Sequence, residues 1–195
     1  MKTLTTQFMQ QIISTLAAIK PLSPKIQDFL EKKLKNEVFA KKSMIVQPET
    51  VNRKIYFIEK GIVRAYFIEN GKEHTTWFFK EADIIISVIS FFLQKPSNEY
   101  IETLEDCVMW SLSYTDLQFL YDNFPEFNYV GRVLTEKYYC LSEIRNYNIR
   151  MKSVNERYVF LQQQIPDILH RVPVKHIASH LEIEPETLSR LRAKK

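Results

Sequence analysis

Glycine is scarce in this 195-residue chain, which has three in all. Loops that cradle phosphate through closely spaced glycines, of the GxxxxGK or GxGxxG kind, are therefore excluded. Cysteine is scarcer still, with Cys107 and Cys140 far apart in the apolar strings CVMW and YYCL. Such thiols suit buried free cysteines better than a disulfide or a metal pair. Of the four histidines, only His74 lies where the sequence has a strand pattern. A metal-dependent small-barrel enzyme needs two or three histidines and a carboxylate at ligand spacing, and a lone histidine beside a turn reads as an exposed polar residue. No Ser-His-Asp or Cys-His arrangement appears, so the chain is expected to be no enzyme and to carry no metal and no cofactor. No run approaches the roughly 18 apolar residues of a membrane span, and the N-terminus lacks the basic-then-apolar layout of a secretory signal. A cytoplasmic location is the expectation.

What is present divides into three. Hydrophobic residues make up 45% of the chain and charged residues 26%, enough for a substantial core. Residues 3–35 are helical in pattern, broken at Pro21 to Pro24, with Ser23 placed to cap the second helix. From Phe39 to about Ser113 the period becomes strand-like: MIVQ, KIYFIEKGIVRAYFIENGKEHTTWFF, DIIISVIS and YIETLEDCVMWSL. Asn70-Gly71 signals a hairpin, Gly61 punctuates the preceding strand pair, and further turns fall at Pro48-Glu49 and Lys95-Pro96-Ser97. Tyr114 to Asn123 then reads as a short helix ended by Pro125, and Glu126 to Met151 as a long one. Its apolar positions, among them Val130, Leu134, Leu141 and Ile144, recur at three and four residues, as intrachain packing and a dimer seam both require. Ser153 to Gln164 forms a further helix. The organisation expected is residues 1–125 as N-terminal helices and an all-β sensor unit, 126–151 as a connecting and dimerisation helix, and 152–195 as a DNA-binding unit.

The last segment, VPVKHIASHLEIEPETLSRLRAKK, carries the sharpest signal. Ile177, Ala178 and Leu181 share one helical face, a break follows at Glu182-Ile183, and a second helix starting near Pro185 returns Leu188 and Leu191 to the same core. That is the spacing of a helix-turn-helix. Pro185 is preorganised for a first turn, and Glu186 suits the positive end of the helix dipole. The outward face carries Glu186, Thr187, Ser189, Arg190 and Lys194. Arg190 could donate to guanine O6 and N7, and Glu186 could accept from cytosine N4 or orient the arginine. Thr187, Lys175 and Lys194 are placed for phosphates. An ordinary surface hairpin of helices with a Glu–Arg pair is the plainer reading. Charge favours the first: residues 150–195 hold nine Lys/Arg against five Asp/Glu, while residues 1–149 balance at eighteen of each.

In the order of these parts, in YFIEKGIVRAYF (Tyr56 to Phe67) and in IASHLEIEPETLSRLR (Ile177 to Arg192), the chain resembles the Crp/Fnr family of bacterial transcription regulators over residues 5–195. The resemblance implies an α+β fold: an N-terminal double-stranded β-helix or β-roll of the cyclic-nucleotide-binding kind with flanking helices, a long central dimerisation helix, and a C-terminal winged helix-turn-helix. As the chain stops close to the end of the second helix of the pair, any wing must come from residues before it. The resemblance implies a homodimer acting on double-stranded DNA at an inverted-repeat operator, with RNA polymerase a further partner. The family's recognition helix usually has Arg-Glu-Thr and then Arg; here Glu186, Thr187 and Arg190 match and Pro185 replaces the leading arginine, so the operator need not be the family's best-known one. Glu182 stands where a turn glycine is usual.

The sensory half departs further. Members that bind cyclic AMP hold its ribose with a glutamate and its phosphate with an arginine; the matching points here are Ala82-Asp83, Ile86-Ser87-Val88 and Ser97-Asn98, which supply neither. Cyclic AMP is therefore not the expected ligand, since a buried phosphate needs a cationic partner. Two scattered thiols also cannot supply the four ligands of the oxygen-sensing branch's iron–sulfur centre. The aromatics Trp77, Phe78, Phe79, Phe91, Phe92 and Tyr100 are read first as core. The alternative is a pocket for a small apolar or neutral effector with Ser87, Ser97, Asn98 and Tyr100 at its polar side. The rival to a regulator is a β-roll ligand- or protein-binding module whose helical tail does not read DNA.

Overall fold

The computed structural model describes residues 2–193. Two helices, α1 (Lys2–Ile19) and α2 (Pro24–Lys33), lead into eight strands: β1 (Lys35–Phe39), β2 (Met44–Val46), β3 (Lys54–Lys60), β4 (Val63–Glu69), β5 (Lys72–Phe79), β6 (Ile84–Ile85), β7 (Tyr100–Thr103) and β8 (Cys107–Ser113). A short helix, α3 (Val88–Leu93), interrupts them. The strands form two four-stranded antiparallel sheets, ordered β1-β8-β3-β6 and β2-β7-β4-β5. Their facing sides bury Ile58, Val63, Ala65, Ile85, Ile101, Cys107 and Met109. The α+β architecture with a β-roll is as the sequence leads one to expect.

Local chemistry explains the corners. Asn70 and Gly71 both adopt positive φ, 52° and 76°, as a two-residue hairpin of primed type demands between β4 and β5. Gly61 sits at φ 114°, and a Cβ there would lie 2.3 Å from Cys107 Sγ. The string DIIISVIS, read from sequence as a strand, is one for Ile84–Ile85 alone. At Ser87, whose amide donates to the Asn52 side chain (2.9 Å), the chain turns into α3. A short β-branched apolar run does not distinguish a buried strand from a buried helical turn.

The remaining helices are α4 (Tyr114–Asn123), α5 (Pro125–Met151), α6 (Val154–Gln164), α7 (Ile168–Arg171), α8 (Val174–His180) and α9 (Pro185–Ala193). Ser113 caps α4 by accepting from the Asp116 amide. Ser153 and Glu156 close a capping box on α6. Among the described residues no strand follows β8, so the expected wing has no counterpart within residues 114–193. Cys107 is buried as expected, but Cys140 is exposed. It lies on the outward side of α5, four, seven and eleven residues before the exposed Ile144, Tyr147 and Met151. That series repeats at helical spacing, so Cys140 belongs to a surface stripe and not to the core.

One core cluster crosses the expected boundary at residue 152. Ile62, Phe78 and Leu104 of the roll pack with Tyr158, Leu161, Ile168, Ile177, Ala178, Leu181 and Leu188. The C-terminal helices are therefore seated on the β-roll and not merely tethered to it.

Candidate nucleic-acid interface and effector pocket

The C-terminal pair is a tightly specified turn. Helix α8 ends with the Glu182 amide donating to Ser179 O (3.1 Å) and the Ile183 amide to Ala178 O (3.0 Å). With Glu182 at φ 55°, this is a Schellman motif whose left-handed residue is a glutamate and not the usual glycine. Ile183 packs against the cluster holding Ala178, which supplies the apolar contact such a turn usually has. Glu184 O then accepts from the Thr187 and Leu188 amides to open α9. Leu188 is fully buried, while Glu186, Thr187, Ser189 and Arg190 are exposed on the opposite side. Lys175, on α8, is exposed as well. Ser189 donates to Pro185 O (3.0 Å), which leaves its oxygen free to accept. Lys194, expected on the same face, lies outside the described residues.

The inner face of α8 is committed to the roll. Ser179 Oγ accepts from the Thr75 amide (2.9 Å) and donates to Glu73 O (2.7 Å). Arg64, buried on β4, lies over the Tyr66 ring at 3.9 Å and donates to Glu102 (2.8 Å), Glu73 (2.7 Å) and Nδ1 of His176 (2.7 Å). A guanidinium can only donate, so His176 must accept at Nδ1 and is neutral. Burial, and then the charges of Arg64 and Lys175, hold its pKa down to about 4. Four residues on, burial and the charge of Arg145 hold His180 down to about 3. A second ionic cluster joins Arg171 on α7 to Glu81 (2.7 Å), Glu105 and Asp167 (3.1 Å). None of the contacts between these helices and the roll carries a local sequence signal, because their partners lie 66 or more residues apart.

Between the roll and α5 lies an apolar cavity of about 450 Å³ lined by Phe57, Trp77, Phe79, Ile84, Ile86, Leu134 and Tyr138, among others. That is within the range of small-molecule sites, roughly 300–1,000 Å³. Val88 and Phe92 of α3 line it and are 58% and 42% exposed, so α3 forms its mouth. The polar residues expected here are elsewhere. Ser87 and Ser97 are buried and hydrogen-bonded to each other (3.1 Å), and Ser97 also closes on the Glu99 backbone. Asn98 is exposed. Tyr100 stacks on Tyr66, with ring centroids 4.9 Å apart. The acid that does line the cavity is Glu99, whose carboxyl burial pushes up despite a hydrogen bond with Ser87. No local pattern marks it, because only the folded roll turns it towards the cavity. Ionised, that carboxyl would repel a phosphate, and neutral it offers no positive charge to hold one, which agrees with the absence of a phosphate-binding arginine.

Comparison with known proteins places this geometry. Residues 36–124 match the family model of the cyclic nucleotide-binding domain. No curated protein matches the sequence. Solved structures do match: a variant of CooA from Carboxydothermus hydrogenoformans at 20% identity and TM-score 0.64, covering 84% of this chain and 76% of that one. The global regulator CLP of Xanthomonas campestris aligns at 15% identity and TM-score 0.67, over 88% and 91%. A Crp/Fnr-family protein from Eubacterium rectale aligns at 18% identity and TM-score 0.67, over 87% and 82%. The chain thus carries a domain of the cyclic nucleotide-binding type. Taken whole, it has the fold of the Crp/Fnr regulators.

Proposed function

We propose that this protein is a DNA-binding transcription regulator of the Crp/Fnr type that acts as a homodimer. The observation that carries the reading is the α8–α9 pair: a closed turn, Leu188 wholly buried, and Glu186, Thr187, Ser189 and Arg190 left to solvent on one face. Arg190 is the base-reading residue, with Glu186 one turn before it; Thr187, Lys175 and Lys194 serve phosphates. The exposed stripe Cys140, Ile144, Tyr147 and Met151 on α5 supplies the dimer seam. The cavity between roll and α5 takes a small apolar or neutral effector, for which Glu99 is the polar anchor. CLP is described as c-di-GMP responsive; an acid in a cavity with this lining argues against an anionic nucleotide in the same place here. Among the described residues no helix is long and apolar enough to cross a membrane.

The test is selection of the purified protein on a randomised duplex library, compared with Arg190→Ala. An enriched inverted repeat is expected, with the variant folded and weakened by about 1–3 kcal/mol on the enriched site. Retention without enrichment, equal in the variant, would leave a β-roll binding module.

A further inference from the structure

A second cleft lies where α5, α6 and α8 meet the end of β5. It encloses about 140 Å³, far more than the roughly 10–15 Å³ that a single water requires. Trp77 and Phe160 line it, and so do Arg145, Arg157 and His180. Arg145 Nε, Arg157 Nε and His180 Nδ1 are all buried without a hydrogen-bond partner. Buried polar atoms are normally paired, so three orphans around one cavity mark a place built for something the protein itself does not supply.

The charge says what that is. Lys80, Arg145 and Arg157 line the cleft against a single carboxylate, Asp83. That carboxylate is already engaged by the Lys80 amide (2.9 Å). The other nearby acid, Glu182, is half exposed and reaches Arg157 only at 4.0 Å. Guanidinium groups present a planar set of donors that fits an oxyanion, and burial strengthens such bonds. We propose that this cleft binds the phosphate or carboxylate group of a small molecule, with an aromatic or apolar body seated on Trp77 and Phe160. Arg145 and Arg157 grip the oxyanion, while the neutral His180 on α8 faces the cleft with Nδ1 as an acceptor for a hydroxyl or water beside it. The apolar cavity described above is a different site, with an acid where this one has arginines. The cleft spans α5, α6 and the first helix of the DNA-reading pair, so its occupant fastens the three together. That regulatory use rests on the function proposed above; the binding itself does not.

The full-length protein, without DNA, is titrated with phenyl phosphate, with phenylacetate and with benzyl alcohol, and followed by calorimetry and by NMR of the arginine Nε–H and tryptophan indole signals. The expected result is saturable binding of at least one oxyanion and none of the alcohol, with shifts confined to the side-chain signals of Arg145, Arg157 and Trp77. The preferred probe distinguishes a phosphate from a carboxylate ligand. Arg145→Gln and Arg157→Gln should each weaken binding by about tenfold or more. Absence of binding at millimolar oxyanion overturns the proposal, as do shifts that map elsewhere in the wild-type protein. The NMR result decides the matter even where a variant fails to fold. Failure of the duplex selection would leave this outcome untouched.

Discussion

Acid should loosen the seat of α8 on the roll, and the two histidines on that helix set the size of the effect. His176 and His180 are neutral in the docked form, with pKa values of about 4 and about 3. The groups facing His176 are Arg64 from β4, Glu73 from β5 (3.7 Å) and Lys175 on its own helix; those facing His180 are Arg145 from α5 and Arg157 from α6. Once α8 is released, each imidazole returns towards an ordinary pKa of about 6.5. The released form then binds more protons than the docked form at every pH between the two values. Docking is accordingly strongest above about pH 6.5 and weakens as pH falls towards 4. At pH 5 each histidine costs roughly 2 kcal/mol relative to pH 7.5, or about 4 kcal/mol for the pair. Glu73 does not add to this slope. Burial alone would raise its carboxyl, but the hydrogen bond and charge of Arg64 outweigh that and keep it below its usual range, so it stays ionised at pH 5. Urea midpoints at pH 7.5, 6 and 5 measure the effect, with His176→Gln/His180→Gln as the comparison. Glutamine still offers Arg64 an oxygen but cannot take up a proton. A flat wild-type profile, or an equal fall in the double variant, would refute the reasoning.

Three further outcomes follow from particular contacts. Arg171→Ala leaves Glu81 and Glu105 facing each other without their cation; as all three are partly exposed, the loss should be about 1–2 kcal/mol in thermal or urea unfolding, reduced by salt. Gly61→Ala forces a side chain to φ 114° and drives its Cβ into Cys107 Sγ at 2.3 Å. It should cost about 2–4 kcal/mol, read as a fall in the urea midpoint, and a neutral result would mean that this turn is misplaced. Mild oxidation should cross-link two chains through Cys140 if α5 pairs along its exposed stripe, whereas the buried Cys107 should stay reduced. Non-reducing electrophoresis of wild type and Cys140→Ser reports this, and a monomer in both cases removes the seam.

What could be read from the sequence was whatever leaves a local mark. Asn70-Gly71 announces its hairpin because few residues tolerate two successive positive φ values. Ser153 and Glu156 announce the start of α6 because a capping box needs those residue types three apart. The break at Glu182-Ile183 was legible from the apolar period of Ile177, Ala178, Leu181 and Leu188, although the residue at the left-handed position is the wrong one for a glycine rule. Local reading failed where the determinant is distant. Arg64 and His176 are separated by 112 positions, and nothing about either residue alone says that one will donate to the other. Glu99 was missed in the same way, since only the folded roll turns it towards the cavity while Ser97 and Ser87 turn towards each other. Cys140 was misread because its neighbours Tyr138 and Leu141 are half buried while it faces outward, and a flanking string does not resolve the faces of a helix.

The docking of α8 has a consequence for how such a molecule could switch. Helix α9 is held to α8 by the Schellman turn and by Leu188, so whatever fixes α8 on β5 also fixes the direction in which Arg190 points. In a dimer closed along α5, the separation of the two recognition helices is then set by the Arg64, Ser179 and Arg171 contacts and not by the recognition helices themselves. DNA requires that separation to be one helical repeat, about 34 to 36 Å. If the pair reads DNA as proposed above, release of α8 by acid, or its loosening by Arg171→Ala, changes operator affinity without altering a base contact. If the docked form is the reading form, affinity falls; if it is the resting form, affinity rises. The sign of that change, measured on an enriched site at constant salt, identifies which of the two conformations an effector has to favour.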